Sequence, residues 1–160
     1  MNRPPATAAA LDERCRAAGL DVDRPAVDRD LEAVGEYLAR WVEVVDADTP
    51  YRRADLLNTL LATSTAHPRL TDHAGSGWHI HYRDDDMTLA ALLRSLVSVG
   101  TALHLTARGM HRLARCAADG CEQVFADVSR TGRQRYCTPA CANRDAVRRH
   151  RAGARAVAGA

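Results

Sequence analysis

Hydrophobic residues recur at steps of three and four along much of the first two thirds of the chain, which is the period of amphipathic helices. The clearest such segment begins at Pro25. Its predicted buried face consists of Val27, Leu31, Val34, Leu38, Trp41, Val42 and Val45. The pattern predicts one long helix that packs on a single side.

Further helices are predicted from their start and stop signals. A short helix is expected from Ala8 to Ala18, preceded by a disordered segment over residues 1–7. Asp48-Thr49-Pro50 begins the next helix, and His67-Pro68 ends it. The apolar face of that helix is Leu56, Leu57, Leu60 and Leu61.

The stretch PRLTDHAGSGWHIHYR predicts two short strands around a Gly-rich turn. A helix from about Leu89 to Ala107 follows, and its Leu, Val and Ala content predicts the most buried element of the protein. Because no apolar run approaches roughly 18 residues, we expect no membrane span. The N-terminus lacks a secretory signal pattern, so a cytoplasmic protein is expected.

Charge divides the chain into two unlike parts, although its formal net charge is only +2. Residues 1–107 hold 11 Arg against 16 acids, whereas residues 108–160 hold 11 Arg against 4 acids. The composition changes near Gly109. We therefore expect an N-terminal domain over 1–108, a basic module over 109–153 and a tail over 154–160.

Four of the five cysteines follow the spacing C-x4-C-x15-C-x3-C. They are Cys116, Cys121, Cys137 and Cys141. Two close pairs separated by a loop favour one structural zinc ion bound by four thiolates. Two disulfides would need an oxidising compartment, and a catalytic zinc usually keeps an open position, so both alternatives are weaker.

The residues between the cysteines predict a treble-clef-like arrangement of turn, hairpin and helix. Ala118-Asp119-Gly120 suits a tight turn between the first two ligands. Strands are predicted at Gln123–Val128 and Gln134–Cys137, with Gly132 in the turn that joins them. Thr138-Pro139 then begins a helix, with Thr as N-cap and Pro at the first position.

Seven arginines and one acid lie within residues 130–151. Such a one-sided charge on a small folded module is destabilised by self-repulsion unless a polyanion neutralises it. Double-stranded DNA is therefore the favoured partner, against a protein partner or a merely solvated face. The candidate nucleic-acid contacts are Arg130, Arg133, Arg135, Asn143, Arg144, Arg148 and Arg151.

The members of this set that lie on the predicted helix share one face of it. Arg144, Arg148 and Arg151 fall on one stripe at about 100° per residue, and Asn143 beside them carries the donor and acceptor that adenine requires. Asn143 can equally hold the zinc loop together. The arginines of the predicted hairpin are expected to reach an adjacent phosphate strand, and Asp127 is expected to pair with Arg135 or Arg144.

The segment CxxxxCxxxFxDxSRxxxxRYCxxxCANR, followed by HR, resembles the zinc finger of bacterial CGNR-type proteins. The matching positions are Cys116, Cys121, Phe125, Asp127, Ser129, Arg130, Arg135, Tyr136, Cys137, Cys141, Asn143, Arg144, His150 and Arg151. Proteins of that family carry an upstream ABATE domain, and the helices and the first hairpin of this chain resemble its later part more weakly, so that the resemblance covers roughly residues 25–152 in all. The resemblance implies a DNA-binding regulator of the kind described as stress-induced transcription regulators.

Two departures from that family pattern are visible. Ala142 stands where the family name expects Gly, and Ala suits a helix better. The Phe-Val-Asn-Thr-like segment that usually opens the family is not visible, which puts any sensing role that depends on it in doubt.

Other polar clusters have more ordinary explanations. His67, His73, His79 and His81 gather around the first hairpin and leave a second metal site open, although His-x-His is common on strands without metal. Asp84-Asp85-Asp86 precedes a helix, where acids favour the N-terminal dipole. Cys15 is expected to be a free thiol. No catalytic motif is present, so no enzyme is predicted.

The predicted fold class is thus α+β and mainly helical: an N-terminal domain of helices with a β-hairpin, and a small four-cysteine zinc module. DNA binding in transcriptional regulation is the favoured function. A protein-docking module shaped by zinc and a ligand-sensing regulator are the alternatives. A homodimer is an open option for the oligomeric state.

Overall fold

A computed structural model describes residues 5–20, 24–72, 77–84 and 86–158. These ranges form a mainly helical α+β fold with two small antiparallel hairpins, as predicted. In chain order the elements are α1 Ala8–Ala17, α2 Asp28–Asp46, α3 Pro50–Ser64, β1 Arg69–Thr71, β2 His79–His81, α4 Leu89–Arg108, β3 Leu113–Arg115, β4 Val124–Ala126 and α5 Pro139–Ala158.

Threonine side chains fix where α1, α3 and α4 begin. The Oγ1 atoms of Thr7, Thr49 and Thr88 each accept a hydrogen bond from a backbone N–H three residues later, at 3.2, 3.1 and 3.2 Å. These bonds satisfy donors that have no partner within the helix. Thr7, the last residue of the stretch predicted to be disordered, is the N-cap of α1, and residues 1–4 lie outside the described residues.

The main core joins α2, α3 and α4 to the first strand of the second hairpin. Its buried members are Tyr37, Val44, Val45, Leu57, Leu60, Leu105 and Leu113. The predicted face of α2 was partly wrong, because Val27 is exposed whereas Tyr37 and Val44 are almost wholly buried. A second cluster of Leu11, Cys15, Val34, Leu89 and Ala90 holds α1 against α2 and the start of α4.

Helix α4 is not buried all round, contrary to the sequence prediction. Its buried positions include Ser98 and Thr101, while Leu96 is 46% exposed. The hydroxyl of Ser98 lies 2.8 Å from the hydroxyl of Tyr37, and Thr101 accepts a hydrogen bond from the indole N–H of Trp41 at 3.0 Å. Since buried polar groups need partners, the aromatic residues of α2 explain why hydroxyls, rather than leucines, face them.

By length and mean hydropathy alone, α4 is the one described helix that could cross a membrane. The expectation drawn from apolar runs overlooked it. A core helix passes the same test, and α4 packs against both α2 and α3. That packing buries 28% of the helix's apolar window.

The first hairpin forms as predicted. Strands β1 and β2 pair antiparallel, with Leu70 opposite Ile80. The Nε2 atoms of His79 and His81 lie 3.0 Å apart. In the described part of the chain these two histidines join no group of three or more potential metal ligands; His73 and Asp85 lie outside the described residues.

The second hairpin attaches the cysteine-rich segment to the helices. Strands β3 and β4 pair antiparallel, with Ala114 opposite Phe125. Leu113 on β3 is buried in the main core, and Val124 on β4 packs against it. The guanidinium of Arg115 donates to both carboxylate oxygens of Asp46 at the end of α2, at 2.6 and 2.8 Å. The hairpin therefore contacts the helices by apolar packing and by one ion pair.

Candidate metal centre and basic surface

The four cysteine sulfurs gather at one point, with all Sγ atoms within 4.8 Å of one another. The Sγ separations are 3.9 Å for Cys121 and Cys137, 3.7 Å for Cys137 and Cys141, and 3.8 Å for Cys141 and Cys121. A tetrahedral zinc site with Zn–S bonds of about 2.3 Å has sulfur–sulfur edges of about 3.8 Å. Sulfurs joined in a disulfide lie only about 2.05 Å apart. The cluster fits one structural zinc ion.

Local backbone structure positions three of the four ligands. Cys116 directly follows β3, and its N–H donates to the carbonyl of Gln123 at 2.7 Å. A tight turn brings back Cys121, whose N–H donates to Ala118 at 3.0 Å. Cys141 lies in the first turn of α5, where its N–H donates to Oγ1 of Thr138 at 3.2 Å. The predicted N-cap at Thr138 is therefore confirmed.

The hairpin partner was predicted wrongly. Strand β4 pairs with β3, which precedes the first ligand, and not with residues 134–137. That stretch instead bonds elsewhere: the N–H of Gln134 donates to Oδ2 of Asp127 at 3.2 Å, and the carbonyl of Arg135 accepts from Ala117 at 2.8 Å. The turn with the first two ligands thus lies inside the hairpin instead of before it.

The surroundings of the sulfurs favour the thiolate form at Cys116 and disfavour it at Cys137. Burial acts to raise the pKa of the Cys116 thiol, but hydrogen bonds from the backbone of Cys137 and Ala118 and from neighbouring thiols lower it to about 7. Burial, followed by the other three sulfurs, raises the pKa of Cys137 to about 12. Four thiols this close cannot all ionise without a cation, because like charges oppose one another. A guanidinium nitrogen of Arg144 also lies 3.5 Å from Sγ of Cys141 and donates toward it.

Asp127 organises the loop after β4. It is 3% exposed, and its Oδ1 accepts the N–H of Ser129 at 2.8 Å. Hydrogen bonds from Ser129, then from the backbone of Gln134, and the charge of Arg112 hold the pKa of Asp127 below its ordinary value. The cation beside it is Arg112, with 3.6 Å between Nη1 and Oδ1. The predicted pairing with Arg135 or Arg144 was wrong.

Arg112 ties the same loop to the end of α4. Its Nε donates to the carbonyl of Arg108 at 3.1 Å, and its Nη1 donates to that of Ser129 at 2.6 Å. Gly132 has a φ of 69°, and a Cβ placed there would lie 2.6 Å from the guanidinium carbon of Arg112. Glycine is needed at this position both for its backbone conformation and for the space.

Asp145 is the second buried carboxylate of the segment. Its Oδ2 accepts the hydroxyl of Tyr136 at 2.8 Å and Nε of Arg149 at 3.1 Å, and its Oδ1 accepts Nη2 of Arg148 at 2.7 Å. Hydrogen bonds from Arg148 and then Tyr136 lower the pKa of Asp145. Arg148 also lies 3.8 Å from Asp119. This network links α5 to the strand-like stretch before it.

All seven predicted nucleic-acid contacts are exposed. Two shallow depressions, one at the start of α5 and one along it, contain most of them. One contains Arg133 and Arg135 beside Thr138 and Pro139 at the helix start. The other contains Asn143, Arg144, Arg148 and Arg151 along the helix. Arg130 lies in neither depression.

The seven residues differ in the contacts that they already make within the protein. Arg148 is held by Asp145, and Arg144 is oriented toward a zinc ligand. Arg135 lies 5.8 Å from the centroid of the Tyr136 ring. Within the described ranges, Arg130, Arg133 and Arg151 make no ion pair. The sequence analysis missed Arg112, Asp145 and Arg149 as partners in the module, although the lone acid among seven arginines was a usable signal.

A model of the CGNR zinc finger family matches residues 112–154, which contain all four cysteines of the cluster. This part of the chain is therefore similar to CGNR zinc fingers, in agreement with the resemblance seen in the sequence. No curated protein matches the chain. The resemblance of the helical part to an ABATE domain stays a prediction.

Proposed function

We propose that the protein binds double-stranded DNA through its zinc module and acts in transcriptional regulation. The observation that carries the proposal is the pair of arginine-lined depressions on α5. The proposal describes a binding protein, not an enzyme: the zinc organises the surface and takes no part in a reaction. The likeness of residues 112–154 to CGNR zinc fingers supports the regulatory part of the proposal.

The basic surface has the features of a phosphate-binding site. Arg133 and Arg135 lie beside the first turn of α5, where the helix dipole also favours anions. The arginines of the second depression continue along the helix. A helix laid on a groove presents such a row to successive phosphates, which position the protein without reading bases. Asn143 is the side chain in that row with the groups to read adenine.

The ion pairs within the module decide which arginines contribute most. Arg148 is already partly neutralised by Asp145, which reduces what it can gain from a phosphate. Arg130, Arg133 and Arg151 have no such partner among the described residues. We therefore expect these three to dominate the electrostatic part of binding.

The salt dependence of binding tests the proposal. If about four phosphates are neutralised, log affinity for duplex DNA falls against log salt concentration with a slope of roughly −3.6. Arg151→Ala and Arg133→Ala should each make that slope shallower by about one and weaken binding to all sequences alike. Arg29→Ala is the matched control, since Arg29 is exposed on α2 in the acidic part of the chain.

A protein-docking role is the competing function, because the same arginines can meet an acidic protein surface. A salt slope near zero, or unchanged DNA affinity in an Arg130/Arg133/Arg151 triple alanine variant that retains zinc, would favour docking. Measuring the zinc content of each variant separates loss of contacts from loss of the fold.

A further inference from the structure

One large apolar side chain is exposed in the middle of the basic surface. Val147 on α5 is 50% exposed, and it lies in the same depression as Asn143, Arg144, Arg148 and Arg151. Helix propensity does not favour a valine here, because its branched side chain loses freedom in a helix. The residue also belongs to none of the apolar clusters found among the described residues. Its place on the surface therefore needs another explanation.

The rotation of α5 decides which side chains face outward. Among the described side chains of this helix, Cys141 and Asp145 are the buried ones, so they mark the side that faces the module. A position two residues later lies about 200° round a helix. Asn143 and Val147 each follow a buried residue by two positions, and both therefore lie on the side opposite the module. We call these two side chains, one helical turn apart, the outward face.

The arginines beside the outward face are held at its edge. Arg144 donates toward Sγ of Cys141 at 3.5 Å, and Arg148 donates to Oδ1 of Asp145 at 2.7 Å, so both guanidinium groups are turned toward the module. Asn143, by contrast, is exposed, and in the described part of the chain its amide has no hydrogen-bond partner. The outward face thus offers an unused amide and an apolar side chain, with positive charge along its edge.

These two side chains match the groups that A·T pairs present in the major groove. An amide can bond both N6 and N7 of adenine, and an apolar side chain can contact the C5 methyl group of thymine. Four residues of helix span about 6 Å, whereas neighbouring base pairs lie about 3.4 Å apart. The two side chains can therefore reach base pairs that are one or two steps apart.

We propose that the outward face reads DNA sequence: Val147 contacts the methyl group of a thymine, and Asn143 bonds an adenine one or two base pairs away. This inference rests on the proposed function, because it names the kind of site that the module selects. The arginines bind phosphates of any sequence, and the outward face adds the preference for A·T pairs. In this arrangement α5 lies in the major groove, which is about 12 Å wide and admits a helix.

Removing one methyl group from the DNA tests the role of Val147. The probe is the duplex that the full chain with bound zinc selects most strongly from a random pool. Each thymine of this duplex is replaced in turn by deoxyuridine, which lacks only the C5 methyl group. At one position the replacement should weaken binding of the wild-type protein about fourfold, the effect of one buried methyl group. Val147→Ala should bind the two duplexes almost equally at that position.

An adenine should lie one or two base pairs from the thymine that responds. Replacing this A·T pair by G·C should weaken binding of the wild-type protein at least about fivefold, since a bidentate contact to a base is lost. Asn143→Ala should lose most of that preference while keeping the response to deoxyuridine.

Two variants are the matched controls. Val128→Ala removes another exposed valine, 65% exposed in the loop after β4, and should keep the fourfold response to deoxyuridine. Arg151→Ala should weaken binding to both duplexes alike and should also keep that response. Measuring the zinc content of each variant shows that the module is intact.

Two results would overturn this inference alone. One is an equal response to deoxyuridine in wild-type protein and Val147→Ala, and the other is a selected duplex without A·T pairs. In both cases, binding with the expected salt slope would leave the proposed function in place. If no duplex is bound at all, the inference and the proposed function are both overturned.

Discussion

The helical part and the zinc module stabilise their interiors by different means. In the helical part, the large buried side chains are apolar or aromatic, and the buried polar groups are mostly hydroxyls such as Ser98 and Thr101. In the zinc module the interior consists of Cys116, Ala118 and Cys141 with few apolar neighbours. The two carboxylates that are buried among the described residues, Asp127 and Asp145, both lie there.

The difference follows from size. A short segment cannot bury enough apolar surface to offset the entropy of ordering its chain. In the zinc module, a metal ion and buried carboxylates supply the missing stabilisation, since each binds several groups at once. The carboxylate of Asp127 binds backbone N–H groups of its loop, and that of Asp145 binds Tyr136 and two arginines of α5.

The two regions nevertheless share a boundary. Leu113 belongs to the same cluster as Tyr37 and Leu105, and Val124 packs against that cluster. Loss of the metal should therefore lower the stability of the helical core, because the second hairpin packs against it. The size of that loss of stability measures how independently the two regions fold.

Loss of zinc should have the largest effect. Cys137→Ser removes one of four ligands, and structural zinc sites contribute roughly 10–16 kcal/mol to the folding of small domains. We expect the variant to lose its zinc and the order of α5, while α2, α3 and α4 stay folded with a lowered melting temperature. Metal analysis and far-ultraviolet circular dichroism measure the two effects.

Cys15→Ala is the control for this prediction, because Cys15 is buried against α2 and lies outside the cluster. It should keep a full zinc ion despite the lost side chain. Full zinc content in Cys137→Ser would contradict the assigned ligand set. Complete loss of helix signal in that variant would show that the helical part depends on the module.

The sequence predicted the helices better than the module. Periodic apolar residues and threonine caps located α3 and α4 to within a few residues, because both signals depend on neighbours in the chain. The choice of face on α2 was less accurate. The hydroxyl of buried Tyr37 shares a hydrogen bond with that of Ser98, far along the chain, and periodicity contains no such information.

The metal ligands were predictable from spacing, whereas the partners around them were not. Thr138 and Cys141 belong to one local motif that the sequence displays. The pairing of β3 with β4 and the contact of Arg112 with Asp127 join residues that are nine or more positions apart. Many arginines were available to Asp127, and only the path of the loop selects Arg112.

The second prediction concerns that loop. Gly132→Ala forces a side chain into a left-handed conformation, at a cost of roughly 1–2 kcal/mol, and drives its Cβ into the guanidinium of Arg112. We expect lower thermal stability and faster zinc transfer to a chelator. Gly35→Ala is the matched control: its Cβ meets open space in a helix, so it should stabilise the protein by about 0.5–1 kcal/mol. Equal melting temperatures for the two variants would contradict this account of Gly132.

The smallest effect is expected at the ion pair between the two regions. Asp46 and Arg115 form two hydrogen bonds, yet their side chains are 45% and 43% exposed. Exposed pairs contribute about 0.2–1 kcal/mol and weaken with salt. Asp46→Asn should therefore lower stability only slightly at low salt and have almost no effect at high salt, with zinc still bound. A loss well above this range that persists in salt would show that the pair, more than the apolar contact of Leu113, holds the hairpin against the helices.

The pH dependence of the same pair gives an independent check. Hydrogen bonding to Arg115, followed by the charges of Arg115 and Arg53, holds the pKa of Asp46 below its ordinary value of 3.8. The folded state therefore binds the proton more weakly than the unfolded state does. The stabilisation is fully present above pH 3.8 and is lost as the pH falls through the lowered pKa. Wild-type protein and Asp46→Asn should thus differ in stability at neutral pH and converge in acid, and a difference that grows as the pH falls would contradict the assigned pairing.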